Sequence, residues 1–319
     1  MKLKNKIKLG LAVAAGGIAT GIALNKGLNS LVNTHLSSNG IQNSKTSVMD
    51  KKNQEDFSNS PEVLLGQLFY ASTSHINVSI PNRDGRHITA MLYKHENENS
   101  KYAIIVHGYR SNTKSVSYIA RRYFEKGYNV LIPYMRAHHG SDYEWCTMGW
   151  YERFDIIDWT NYIDSVSINA HIVLHGVSMG AATVMMVTGE HLIPAVKCAI
   201  EDCGYTSVYD AYSYKIPKIM HLPAFPSIDI FRRAIKSRVG FDIKEASALA
   251  QVRKSHTPTL FIHGDADTVV PVSMARDLYS NALCKKELFI CKRADHAMCP
   301  LLYPEEYWTK VWNFIEKHK

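Results

Sequence analysis

Residues 171–180 read His171-Ile172-Val173-Leu174-His175-Gly176-Val177-Ser178-Met179-Gly180, and a stretch of small residues, Ala181-Ala182-Thr183-Val184-Met185-Met186, follows. The apolar run predicts a buried strand, and the following residues predict a helix. Gly-x-Ser-x-Gly arises by chance in many chains, where it is an ordinary turn serine. Between a strand and a helix it acquires chemical meaning. A turn that sharp leaves little room for side chains beside the serine, so glycine stands at both flanks. The hydroxyl is held at the tip, and the N–H groups of the new helix converge where charge develops on an attacked carbonyl oxygen. Ser178 is therefore a candidate nucleophile.

A serine hydroxyl needs a general base, and the base needs an orienting acid. Downstream, Thr257-Pro258-Thr259-Leu260-Phe261-Ile262-His263-Gly264 is a second apolar strand ending in His-Gly, followed by Asp265-Ala266-Asp267-Thr268-Val269-Val270-Pro271. A further strand, Glu287-Leu288-Phe289-Ile290-Cys291, runs into Lys292-Arg293-Ala294-Asp295-His296-Ala297-Met298. His296 thus sits just after a strand and before a C-terminal helix. The order Ser178, Asp267, His296 fits one known arrangement of nucleophile, acid and base. Asp265 and Asp202 are rival acids at this stage.

The His-Gly spelling also occurs upstream, in Ala103-Ile104-Ile105-Val106-His107-Gly108-Tyr109-Arg110. In a parallel sheet the carboxyl ends of the strands gather on one edge, where ligands bind. The three strand ends would bring an oxyanion loop, the nucleophile and the acid together there. The backbone N–H groups of Tyr109 and Met179 are the candidate oxyanion donors. His107, His175 and His263 are expected to be structural, since histidines beside glycine at strand ends commonly bind neighbouring loops.

The segments His107-Gly108-Tyr109, Gly176-Val177-Ser178-Met179-Gly180, His263 to Pro271 and Ala294-Asp295-His296-Ala297-Met298 resemble those of α/β-hydrolase fold serine hydrolases. They are most similar to a bacterial, often membrane-anchored branch of serine aminopeptidase-like and dipeptidyl-peptidase-like hydrolases. In that family the acid is the second aspartate of His-Gly-x-x-Asp-x-x-Val-Pro, which implies Asp267. Met148 to Asp155 and Glu201-Asp202-Cys203-Gly204-Tyr205-Thr206-Ser207 are further matches, and the resemblance covers roughly residues 60–319. One departure stands out. The family usually carries Arg-Gly-His-Gly-x-Ser where this chain has Arg136-Ala137-His138-His139-Gly140-Ser141.

Length and charge set bounds on these readings. The 319 residues suit one α/β domain with an insertion, and 46% hydrophobic content allows a sizeable core. The net charge of +8 comes from 37 Lys and Arg against 29 Asp and Glu. Eight of those lysines and one acid, Asp50, lie in residues 1–54, which leaves 29 against 28 elsewhere. The basic excess thus belongs to the amino terminus and gives no reason to expect nucleic acid. The six cysteines form no Cys-x-x-Cys pair, so a zinc site is not expected. Cys198 and Cys291 fall in apolar strands and read as free buried thiols.

Lys2, Lys4, Lys6 and Lys8 precede an uncharged run at 9–25. This is the pattern of an export signal, cleaved after a small-x-small site such as Gly21-Ile22-Ala23 or kept as a single anchor with the lysines inside. As a helix the run spans about 25 Å, a little under a bilayer core of about 30 Å. Residues 1–25 are accordingly expected to be a signal peptide or transmembrane anchor, and 26–60, rich in Asn, Ser and Lys, a flexible linker. From 61 onward, strands near 76–80, 87–93, 102–106, 128–133, 171–175 and 196–201 alternate with helices near 114–126, 149–165 and 179–190. That rhythm predicts a mostly parallel sheet with helices on both faces over 61–319, which the resemblance implies is an α/β-hydrolase fold. Residues 205–250 break it and read as a helical cap, with Tyr205, Tyr209, Tyr212, Tyr214, Met220, Phe225 and Phe231 offered as pocket lining.

The expected protein is a serine hydrolase with Ser178, His296 and Asp267 as nucleophile, base and acid, and with no cofactor or metal. Its expected substrates are small-molecule carboxylic esters of small to medium acyl groups. A peptidase, an acyltransferase and a non-catalytic surface binding protein are the alternatives. The expected location is the cell membrane, single-pass with the hydrolase domain outside, or the secreted fraction.

Overall fold

The computed structural model describes residues 26–44, 49–96, 99–220 and 223–319. The uncharged run at 9–25 lies outside them. Among the described residues no helix is long and apolar enough to cross a membrane.

Residues 26–36 form a helix, α1, continued by α2 (Ser38–Gln42), then α3 (Lys51–Asn59) and α4 (Pro61–Ser72). This differs from the linker expected over 26–60. The chain there is rich in Asn and Ser, yet Leu28, Leu31, Val32 and Leu36 recur at helical spacing. Val32 and Leu36 are fully buried, and Ile41 nearly so. Packing of that stripe, rather than helix propensity, orders the segment.

Eight strands follow: β1 (Ile76–Pro81), β2 (His87–Tyr93), β3 (Lys101–Val106), β4 (Asn129–Pro133), β5 (His171–Val177), β6 (Val196–Asp202), β7 (Thr259–Gly264) and β8 (Lys286–Cys291). They lie in one sheet in the order β1-β2-β4-β3-β5-β6-β7-β8. β2 is antiparallel to both neighbours, and every pairing from β4 to β8 is parallel. The central strands are apolar on both sides. In β3, Ile104 and Val106 enter one core while Ala103 and Ile105 enter the other, as the two-residue period of a strand requires. On one face the sheet is covered by α4, α5 (Ser117–Glu125) and a carboxy-terminal helix over Pro304–His318. On the other lie α6 (Glu152–Val166) and α7 (Met179–Thr188).

Between β6 and β7 the chain inserts α8 (Val208–Met220), α9 (Ala224–Val239) and α10 (Ala248–Val252). α11 (Val272–Asn281), α12 (Cys299–Leu302) and α13 (Pro304–His318) complete the chain. Tyr205, Val208, Ile228, Phe231 and Ile235 of the insertion share one apolar cluster with Val32 and Leu36 of α1. All six cysteines are buried and unpaired.

Candidate active site

The parallel strands β3, β5, β7 and β8 end on the same edge, and the loops that leave them build one site. Ser178 follows β5 with φ 58° and ψ −116°, a region a non-glycine residue enters only under constraint. The constraint is visible in the flanking glycines. A Cβ on Gly176 would stand 2.2 Å from the Gly180 carbonyl oxygen, and one on Gly180 would stand 2.0 Å from that of Val106. Close backbone approach, rather than a left-handed φ, therefore demands glycine at both places. The turn is pinned from the next strand by Ser178 N–H donating to the Asp202 carbonyl at 2.8 Å.

His296 stands over the serine. Its Nε2 is 2.8 Å from Ser178 Oγ, and its Nδ1 is 2.7 Å from Asp267 Oδ2. The other carboxylate oxygen of Asp267 accepts the N–H groups of Val269 at 2.8 Å and Val270 at 2.7 Å. Asp295 joins the two loops by accepting from Thr268 N–H at 2.8 Å and His296 N–H at 2.7 Å. Burial alone would raise the Asp267 carboxyl. His296, together with the hydrogen bond and charge of His263, outweighs burial and holds it well below the ordinary carboxylate range. The acid stays ionised while facing the imidazole.

The sequence-predicted oxyanion residues flank this array. Met179 is the first residue of α7, so its N–H has no intrahelical partner and lies at the positive end of the helix dipole. Gly108 brings the β3 loop against the nucleophile: a Cβ there would lie 3.3 Å from Ser178 Cβ. Tyr109 comes next. His138 Nε2 accepts the N–H of Arg110 at 3.0 Å, so the departing loop 136–141 braces the oxyanion loop directly. Ala137 adopts φ 64° where the resembling hydrolases usually have glycine.

The rival acids are placed elsewhere. Asp265 is exposed, and its carboxylate accepts from Arg293 N–H. Asp202 is fully buried and accepts from Tyr307 OH at 2.9 Å, with burial pushing its carboxyl up to about 6. His107 and His175 are structural, as expected. His107 is paired with the Gly108 carbonyl, and His175 lies between Tyr123 and Tyr307 hydroxyls at 3.1 Å each. Burial lowers them to about 4 and about 3.

His263 departs from the structural reading. Its Nε2 lies 2.9 Å from the Val270 carbonyl and 3.2 Å from Asp267 Oδ2, so it touches the acid from behind. Burial works against its protonation, but Asp267, first through its hydrogen bond and then through its charge, more than offsets this and raises it. Glu201, buried one residue before Asp202, is itself pushed up to about 8 by burial. The sequence carried a signal for this contact in the short His-Gly-x-x-Asp spacing at the end of β7.

Among the described residues, Cys203, Asp267 and His296 bring a thiol, a carboxylate and an imidazole within 4.8 Å of one another. Burial and neighbouring acids keep the Cys203 thiol far above its usual range, whereas a metal binds the thiolate. Both nitrogens of His296 are engaged with Ser178 and Asp267.

Residues 114–318 match the model of the prolyl oligopeptidase family. The chain is 29% identical over 214 residues to the uncharacterized protein YqkD of Bacillus subtilis, across 67% of this chain and 70% of that protein. Among solved structures it is similar to the esterase Pf2001 of Pyrococcus furiosus, with a TM-score of 0.62, 21% identity and coverage of 77% of this chain and 93% of that one. The acylaminoacyl peptidase of Pyrococcus horikoshii gives a TM-score of 0.57 at 16% identity, over 79% of this chain and 43% of that one.

Proposed function

The chain belongs to the prolyl oligopeptidase family of serine hydrolases, and from that premise we propose that it cleaves carboxylic esters of small to medium acyl groups through an acyl-enzyme. The observation that carries the reading is the continuous hydrogen-bonded array Ser178–His296–Asp267. Ser178 Oγ attacks the ester carbonyl carbon while His296 Nε2 takes the hydroxyl proton. Asp267 holds the imidazole with its other proton on Nδ1 and stabilises the cation that forms. The N–H groups of Tyr109 and Met179 receive the charge on the carbonyl oxygen. Collapse breaks the bond to the leaving alkoxide, which takes the proton from His296. Water then attacks the acyl-serine by the same route and releases the acid.

The preference for esters rests on the insertion over the site. A peptide's free α-amine bound in a cleft calls for an unengaged carboxylate. Asp210 already accepts from Thr206 Oγ1 at 2.7 Å and Ser207 Oγ at 2.6 Å. Asp242 is held by both arms of Arg232 at 2.6 Å. Tyr205 and Phe231 are buried in the core, and the partly exposed rings of Tyr209 and Tyr212 supply apolar surface instead. The lysines followed by the uncharged run at 9–25 support export or membrane attachment of the whole enzyme.

The test pairs two measurements. Ser178→Ala should abolish fluorophosphonate labelling and turnover while the fold persists; labelling at the original rate would remove Ser178 from the mechanism. Side-by-side kcat/KM on p-nitrophenyl butyrate and an aminoacyl anilide should favour the ester beyond its greater intrinsic reactivity. A higher value on the anilide that is lost in Asp210→Asn would replace the esterase with a peptidase.

A further inference from the structure

The last turn of α1 ends against the candidate oxyanion site. A helix leaves its final carbonyls without intrahelical partners, and each must find a donor elsewhere. Here the donors are unusual in their origin. Asn33 O accepts locally from Ser37 N–H at 3.1 Å. Thr34 O accepts from Arg110 Nη2 at 3.0 Å, and His35 O accepts from Tyr109 OH at 2.8 Å. Leu36 O accepts from Cys146 N–H at 2.8 Å, and Cys146 Sγ is 3.6 Å from Met179 Sδ. Three consecutive carbonyls are thus capped by two loops of the site. One loop carries Tyr109, and the other packs on Met179. The guanidinium of Arg110 at the carboxyl end of α1 also complements the helix dipole. His35 carries no competing charge, since burial, then Arg110 and Lys215, lower it to about 4.

Side chains repeat what the hydrogen bonds do. Val32 and Leu36 are fully buried in the cluster that holds Cys146 and Met179, with Tyr212 packed against it. Arg238 of the insertion reaches Asn33 Oδ1 at 2.9 Å, so α1 is clasped between the insertion and the oxyanion loop. Arg110 itself sits at φ 57°, a conformation that depends on its surroundings for support.

We propose that α1 is a working part of the active site: its carboxyl end, through Tyr109 and Cys146, positions the two residues whose N–H groups bind the oxyanion. His35 and Leu36 are positioning residues in this sense. The inference rests on the assignment of Tyr109 and Met179 as oxyanion donors to an acyl-serine formed on Ser178.

The experiment uses the full chain. Tyr109→Phe removes only the hydroxyl that reaches His35, and Leu36→Ala removes the buried side chain at the helix end. Each should lower kcat on p-nitrophenyl butyrate by about three- to tenfold, with KM changed less than about twofold. Inhibition by a trifluoromethyl ketone, whose hemiketal oxyanion occupies the same donors, should weaken by the same factor. Leu36→Met should restore both readouts. Unchanged kcat and ketone affinity in both variants, or a rise in KM alone, would overturn the inference. Should Leu36→Ala fail to fold, Tyr109→Phe decides alone. Ser178→Ala made in parallel separates the two layers. Loss of turnover there with silent helix variants defeats only the role of α1, whereas retained turnover defeats the underlying site reading and the inference with it.

Discussion

Replacing Asp267 with asparagine tests the orienting acid most sharply, because the surroundings dictate how the amide must lie. Four N–H donors face the carboxylate. Val269 and Val270 approach one oxygen at 2.8 and 2.7 Å, while His296 at 2.7 Å and His263 at 3.2 Å approach the other. An amide offers one acceptor oxygen in place of two. The backbone donors cannot change, so turning the NH₂ toward them would leave two buried N–H groups unpaired, at about 1–3 kcal/mol each. The oxygen therefore faces the backbone and the NH₂ faces His296. The imidazole must then accept on Nδ1 and carry its proton on Nε2, the atom that has to take the proton of Ser178. The expected loss in kcat is on the order of 10⁴, about 5.5 kcal/mol of barrier, as for the equivalent change in serine proteases. Steady-state hydrolysis of p-nitrophenyl butyrate, with thermal melting as a fold control, reads it. Asp265→Asn and Asp202→Asn should stay within about tenfold of the parent, which is less than a triad member costs. A larger loss at either of them than at Asp267→Asn would refute the reasoning.

Other consequences are as direct. Gly180→Ala places a methyl 2.0 Å from the Val106 carbonyl oxygen, so it should destabilise the fold by roughly 3 kcal/mol and slow fluorophosphonate labelling; a parental melting temperature and labelling rate would contradict this. Glu201, raised by burial to about 8 and facing His263, Asp202 and the N–H of Gly204, keeps a proton that the unfolded chain releases near its ordinary value. The folded state binds more protons across that window, so stability should fall as pH rises through about 8, and Glu201→Gln should flatten the fall between pH 6.5 and 8.5 in urea unfolding. Equal slopes for parent and variant would count against it. Fractionated cells should yield the full-length protein with the membrane or outside the cell, and recovery in the cytosol would oppose the reading of residues 1–25.

Much of this architecture is legible in the sequence alone, because strands buried on both faces write continuous apolar runs. β5 and β7 are visible that way, and their His-Gly ends mark where each loop turns toward the site. Ser178 and His296 are candidates from position alone, whereas preferring Asp267 to Asp265 and Asp202 needs a family resemblance. What stayed hidden is non-local. Nothing in the local pattern says that His263 would lean on Asp267, or that the Tyr109 hydroxyl would meet a carbonyl 74 residues away. The stretch 26–44 was obscured by composition. Its Asn and Ser content outweighed the apolar stripe Leu28, Leu31, Val32 and Leu36, which becomes decisive only against a surface able to receive it.

The six buried, unpaired thiols turn the molecule into its own opening gauge. A thiol is alkylated as the exposed thiolate, so each cysteine reacts only at the rate at which its neighbourhood comes apart. They are spread over distinct regions. Cys146 lies under the end of α1, Cys203 is 3.9 Å from His296 Nε2, Cys198 is inside β6, and Cys291 closes the edge strand β8. Mass spectrometry of peptides after timed alkylation would therefore date separate events along one chain. Undocking of α1 unmasks Cys146, release of the edge strand unmasks Cys291, and only parting of the central strands admits reagent to Cys198.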